Sequence, residues 1–333
     1  MIKGINWGQM FHYTTMQSGK QAGIPAQLAE QLKKTVPTEL LENARMSGTL
    51  SNYMNLHEPG FGIHDNTITM WTQLSNQRHN LVQRLQFAAN LLMKRRPQIF
   101  ASLAPWIDKS YLHHTVEAYQ QLGCKTMAFT FNSHMPYIGH CTLEESLDSL
   151  RFIYAQTNLI SVELENETYY ADYIVGSNSA SDYENRIDAY ICYLSDTVIP
   201  EILKIVGNEM PLGLSVIDNR IGKFRYWNQS VIRLANRLKK SGLNVFLVPH
   251  VYTKGYSAAD ILTEIDTSVG ILPAALDYRI TEYNADSCAG NCTQDEALAF
   301  IARFNKIASS RGVKATYYHS LYTQKGAHFS FLK

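Results

Sequence analysis

The chain has 333 residues, is 45% hydrophobic and only 18% charged, and balances 30 Lys and Arg against 29 Asp and Glu. That length suits two ordinary domains or one large barrel. A net charge of +1 excludes both the basic footprint of a nucleic-acid binder and the charge-rich composition of a disordered chain. No apolar run approaches the roughly 20 residues needed to cross a bilayer, so no membrane partner is expected. Twenty tyrosines beside so little charge suggest a working surface that is polar and uncharged.

Met1–Asn6 reads as a strand running into a polar loop at Trp7. A charged segment followed by an apolar one, the pattern of a signal peptide, is missing there. The expected setting is therefore cytoplasmic, or that of a trimmed secreted form, from a bacterium or phage. Cys124, Cys141, Cys192, Cys288 and Cys292 are odd in number and scattered, which is not a disulfide framework. Cys288 and Cys292 share one polar loop and are open to two readings, a loop disulfide or two free thiols.

Residues 51–110 are rich in Asn, His, Pro and Gln, and read as a long loop plus a helix over 77–95. From residue 111 a rhythm sets in, in which an amphipathic stretch, a polar break and a short apolar run alternate. The runs are 125–131, 159–164, 212–217, 245–248, 278–281 and 313–318. Between them lie helices marked by apolar residues at helical spacing, such as Leu143, Leu147, Leu150 and Tyr154. Thr142 with Glu145, and Thr293 with Glu296, form capping boxes that open two of these helices. The segment 187–206 reads as one helix. With strands at 2–6 and 44–46 the total reaches eight, so the predicted fold is a single-domain α/β (β/α)8 TIM barrel over residues 1–333, with an insertion at 51–110.

In such a barrel the chemistry sits where strands end. The polar residues there are Asn6 and Trp7, Arg45, Asn132, Asn166 and Glu167, Asp218, His250 and Tyr252, Glu282 and Asn284, and Tyr318 with His319. Glu167 after strand four and Glu282 after strand seven can face one another across the mouth. Paired carboxylates suit hydrolysis of a glycosidic bond, where one protonates the leaving oxygen and the other attacks or activates water. Glu163 and Glu165 share the strand parity of Glu167, so a slip in the strand end would promote Glu165.

The motifs around these residues resemble those of clan A glycoside hydrolases. Val162-Glu-Leu-Glu-Asn-Glu-Thr-Tyr169 resembles the strand-four signature that ends in Asn-Glu. Val248-Pro-His-Val-Tyr252 resembles the strand-six segment, and Ile280-Thr-Glu-Tyr-Asn284 the strand-seven segment that presents the nucleophile. Ala44-Arg-Met-Ser-Gly-Thr-Leu-Ser-Asn-Tyr53 resembles the strand-two segment of arabinofuranosidase- and heparanase-like branches, although it lacks their Pro-Gly pair.

The resemblance implies a retaining glycosidase acting on an oligo- or polysaccharide without cofactor or metal. In it Glu167 is acid/base, Glu282 is nucleophile, and Asn166 bonds the sugar 2-hydroxyl. Arg45 and Tyr252 hold Glu282 ionised, and His250, Asn6, Trp7, Asn132 and Tyr318 complete the substrate site. Tyr318 stands where the clan usually has a tryptophan platform. The pairs His113–His114 and His134–His140 lack the third ligand of a metal site. Asn166-Glu167-Thr168 is also a formal glycosylation sequon, and a glycan there would block the mouth, which disfavours glycosylating secretion. The rival readings are a non-catalytic carbohydrate-binding barrel and a metal-dependent TIM-barrel hydrolase.

Overall fold

The computed structural model describes residues 1–6, 26–47, 116, 120–137, 142–170, 174, 179–217, 222–270, 272–285 and 293–319. The expected insertion at 51–110, Trp7, Asp218 and Cys141, Cys288 and Cys292 lie outside the described residues. Cys124 and Cys192 are free thiols.

The short apolar runs form parallel strands: β1 (Ile2–Asn6), β2 (Asn43–Ser47), β3 (Thr126–Thr130), β4 (Leu159–Glu163), β5 (Leu212–Val216), β6 (Val245–Thr253), β7 (Asp277–Tyr278), β8 (Ile280–Ala285) and β9 (Ala315–His319). Pairing runs β5-β4-β3-β2-β1-β9-β8-β6, and β6 pairs back onto β5, so the ring closes. The two-residue β7 and the longer β8 both pair with β6 and share one position, which leaves the eight staves of a (β/α)8 barrel.

Helices cover the ring. They include α1 (Ala26–Thr35), α2 (Thr38–Leu41), α3 (His134–Tyr137), α4 (Leu143–Gln156), α5 (Ala180–Tyr193), α6 (Ile199–Val206), α7 (Arg225–Lys240), α8 (Ala258–Val269) and α9 (Gln294–Ser310). Both expected capping boxes are formed, at Thr142 and Thr293, and Ser257 with Asp260 adds a third at the start of α8. The helix expected over 187–206 is instead α5 and α6 joined by a π turn at Leu194–Val198. Pro200 lies within the first two positions of α6, where its missing N–H costs little.

Each strand sends alternate side chains outward to the helices and inward to the barrel. In β4, Val162 joins the main apolar core, as does Leu164 just past the strand, while Glu163 turns inward to Arg45 of β2. In β9, Thr316 bonds Asn305 of α9 and Tyr318 packs on Tyr283, whereas Tyr317 joins Ala128 and Ala315 in a separate interior cluster. α7 is pinned to β5 from outside by polar bonds as well as packing. Trp227 donates its indole N–H to the Ser215 carbonyl at 3.0 Å, and Asn228 pairs with both backbone groups of Ile217.

Gly213 of β5 is required by the filling of the interior. A Cβ there would lie 2.7 Å from the Phe246 ring and 2.9 Å from Val248. Gly213→Ala is expected to destabilise the barrel by about 1–3 kcal/mol through overpacking, read from urea unfolding of the purified variant.

Candidate active site

The carboxyl ends of β2, β4, β6, β8 and β9 deliver one connected group of side chains. At its centre Arg45 is fully buried. Its Nε and Nη2 donate to Glu163 Oε2 at 3.0 and 2.8 Å, Nη2 donates to Asn166 Oδ1 at 2.8 Å, and Nη1 donates to Glu282 Oε1 at 2.5 Å. Thr130 of β3 adds its hydroxyl to Glu163 Oε2 at 3.1 Å. The planar fork of Arg45 thereby fixes the relation of three strand ends, a task for which a lysine point charge would not serve.

Glu282 takes a second bond from the Tyr252 hydroxyl, 2.8 Å to Oε2. His250 Nδ1 lies 3.5 Å from Oε2, and His319 Nδ1 lies 4.0 Å from it. The register explains this convergence, because His250 pairs with Glu282 and Tyr252 with Asn284 across β6 and β8. Burial by itself would raise the Glu282 carboxyl, but His250, His319, Arg45 and the Tyr252 hydroxyl outweigh it and hold the group well below the usual carboxylate range. Burial likewise opposes charge on His250, yet Glu282 and Glu167 more than compensate and raise it. His319 goes the other way, lowered by burial and by the nearby Arg45 and His250 despite Glu282.

Glu167 is the more open of the two acids, with its side chain 30% exposed against 10% for Glu282. Its Oε1 is 3.0 Å from His250 Nδ1. Glu167 also has φ of 50°, in the left-handed region that a side chain makes costly. A turn four residues past the end of β4 therefore carries Glu167, and its carboxyl meets His250 of β6. Glu167, His250 and Glu282 each bring one donor atom to within 4.8 Å of the others. A cation among them would compete with the Arg45 guanidinium and the Tyr252 hydroxyl, which already occupy the two oxygens of Glu282, so the trio fits proton transfer better than metal binding.

Of the residues expected at the site, Glu167, Glu282, Asn166, Arg45, His250 and Tyr252 are brought together. Asn132 is buried two residues beyond the end of β3. Asn6 ends β1 in register with both Arg45 and His319, at the same level of the ring. Trp7 is outside the described residues. Tyr318 is a correction: it is 2% exposed, and its ring meets Tyr283 edge-on in the core between barrel and helices. Strand parity puts His319 at the mouth instead, where its ring stands edge-on to Tyr252. Glu163 was legible only as a neighbour of equal parity. Its role as the second anchor of Arg45 depends on a partner 118 residues away.

No protein-family model matches the chain, and no curated protein does. Several solved structures resemble it. A GH5 xyloglucan-specific endo-β-1,4-glucanase from a metagenomic library, in complex with cellotriose, is 12% identical over 99% of this chain and 90% of that one, with a TM-score of 0.49. An endo-1,4-β-D-mannanase from Thermotoga petrophila is 13% identical over 95% of this chain and 87% of that one, with a TM-score of 0.46. A GH128 endo-β-1,3-glucanase from Amycolatopsis mediterranei, in complex with laminaritriose, is 15% identical over 60% of this chain and 73% of that one, with a TM-score of 0.37. The barrel assignment rests on the strand pairing above rather than on these likenesses.

Arg45→Met is expected to cost about 3–5 kcal/mol in chemical denaturation, because it strands two buried carboxyl groups without their shared cation. At the turn, Glu167→Gly is expected to exceed Glu167→Ala in stability by about 1–2 kcal/mol, since only glycine enters the left-handed region freely. Paired urea titrations of the two variants read that difference.

Proposed function

We propose that the chain is a retaining glycoside hydrolase that cleaves O-glycosidic bonds in an oligo- or polysaccharide, using no cofactor. The observation that carries this reading is the close approach of two dissimilar carboxyl groups, with oxygens of Glu167 and Glu282 within 4.8 Å. Retaining enzymes place the pair about 5–5.5 Å apart, whereas inverting ones leave about 6.5–9.5 Å for a water.

In this reading Glu282 is the nucleophile. It is buried, kept ionised by Arg45, His250, His319 and Tyr252, and held in one orientation by a bond to each oxygen. Its attack on the anomeric carbon forms a glycosyl ester as the bond to the leaving oxygen breaks. Glu167, exposed toward the mouth, gives that oxygen its proton, then takes one from the water that hydrolyses the ester. His250 touches Glu167 at 3.0 Å and lies 3.5 Å from Glu282, so it orients the acid and softens the repulsion between the two carboxyl groups. Asn166, held by Arg45, is placed to bond a sugar hydroxyl beside the reacting carbon. The likeness of the motifs to clan A enzymes favours the same reading over a carbohydrate-binding barrel.

The two acids are expected to fail differently. Glu282→Gln removes the nucleophile and should abolish turnover on every glycoside. Glu167→Gln should lose on the order of 10²–10⁴ in kcat on alkyl glycosides or polysaccharide, and much less on aryl glycosides whose leaving group needs no proton. Steady-state rates over a panel of aryl glycosides and polysaccharides read the contrast, and proton NMR of the first-formed sugar reads retention. Full activity of Glu282→Gln would sink the mechanism, and loss of wild-type activity on chelation would favour the metal-dependent alternative.

A further inference from the structure

Strand parity turns a further set of polar side chains into the barrel beneath the reacting groups, and the mechanism above leaves them unused. Glu163 Oε2 takes the bonds from Arg45 and Thr130, whereas its Oε1 is buried with no hydrogen-bond partner among the described residues. Ser161 Oγ, two residues earlier on β4, the Tyr317 hydroxyl of β9 and Arg279 Nη1, between β7 and β8, share this condition. Ser161 and Tyr317 are fully buried, and Glu163 is 1% exposed. Buried polar atoms are nearly always bonded, so several that converge call for a shared ligand.

The register brings these atoms to one space. Ala128 of β3 is paired with Arg45 on one side and Ser161 on the other, and Tyr317 packs in one cluster with Ala128 and Ala315. Gly213 of β5 is paired with Glu163 on one side and with Phe246 of β6 on the other. The Phe246 ring tip lies so close to Gly213 that a Cβ there would be 2.7 Å from it. The Arg279 guanidinium stacks on that same ring, 4.0 Å from its centre. Electrostatics agree with this placement. Burial lowers the Arg279 guanidinium, against Tyr317 and Glu163, which favour its charge. Burial raises the Tyr317 phenol, with Arg279 and Glu163 acting on it in opposite directions.

The chemistry of the four atoms selects what lies between them. Glu163 Oε1 only accepts, Arg279 Nη1 only donates, and the two hydroxyls do either. An anion would suit Arg279 and be repelled by Glu163, and a cation would do the reverse. A small neutral molecule that both donates and accepts meets both ends, and water is that molecule.

We propose that the barrel interior below the active site is a binding site for ordered water, which bridges Arg279 to Glu163 by way of Tyr317 and Ser161. This goes beyond the glycosidase reading and does not rest on it. Glu163 is then held at both oxygens, by Arg45 and Thr130 on one and by water on the other, so the support under Arg45 is closed without a second direct ion pair.

A high-resolution crystal structure of the wild-type protein gives the first test. Water peaks are expected within hydrogen-bond distance of Glu163 Oε1 and onward to the Tyr317 hydroxyl and Arg279 Nη1. A direct Arg279–Glu163 pair, a dry interior, or an ion held by Arg279 alone overturns the proposal. The second test is a double-mutant cycle on groups that do not bond each other directly. Tyr317→Phe and Arg279→Met should each lower Tm by about 2–4 °C, and the double variant by clearly less than the sum, because either change already breaks the bridge. Strict additivity overturns the bridge. Should either variant fail to fold, the wild-type density decides alone.

Discussion

The arrangement hangs on one buried cation. Arg45 has no solvent to share its charge with, so its donors must be matched inside the barrel, and they are matched by Glu163, Asn166 and Glu282. A guanidinium so placed is expensive to bury and stabilises little in sum, but it tolerates only one geometry of its partners. That constraint couples β2, β4 and β8, no two of which are adjacent in the ring. It places one carboxyl in a fixed orientation under the mouth while leaving Glu167 to the loop above. Two glutamates in one site acquire different characters because one is surrounded by positive and donating groups and the other faces the opening.

The loop above is held against its own conformational preference. A left-handed backbone at Glu167 costs on the order of 1–3 kcal/mol and persists only where surrounding contacts determine it. The contacts that do so come from both directions. Asn166 is bound from below by Arg45, and Thr168 lies 3.4 Å from His134 Nδ1 on its other side. Tyr190, 2.8 Å from Ser133, is stacked on Trp227, which is bonded to the Ser215 carbonyl, so the loop after β3 is referred through α5 and α7 to β5. The abundance of tyrosine in the sequence finds part of its explanation here. Tyr190 and Tyr283 each carry a hydroxyl into a buried place that needs one polar contact and much apolar area.

Much of this was legible because it is local. Capping boxes at Thr142 and Thr293 are four-residue events, and the helices they open begin where the spacing says. The apolar runs became strands for the same reason. The split of the helix over 187–206 was not legible, since a π turn leaves the apolar period almost intact. Strand seven illustrates the limit at element ends. Glu282 was expected just beyond the strand, but β8 continues to Ala285, and the side chain reaches the mouth by inward parity from within the strand. Tyr318 failed on parity alone: one residue along a strand reverses the face, so the aromatic went to the core and His319 to the site.

By itself, the sequence determined the alternation of strand and helix, hence the parallel barrel, and it named the two glutamates by the motifs around them. Only the tertiary structure decided which acid is buried and which exposed, because that depends on charges delivered by other strands. It alone assigned Glu163 to Arg45. Three glutamates at alternate positions look equivalent along the chain. They part company when β4 ends between Glu163 and Glu165, and the chain turns left-handed at Glu167. The first then turns inward to Arg45, the second is buried against the Ser215 backbone of β5, and the third is presented at the mouth. The physical reason is that facing direction is a property of a strand's register and end, which long-range pairing sets.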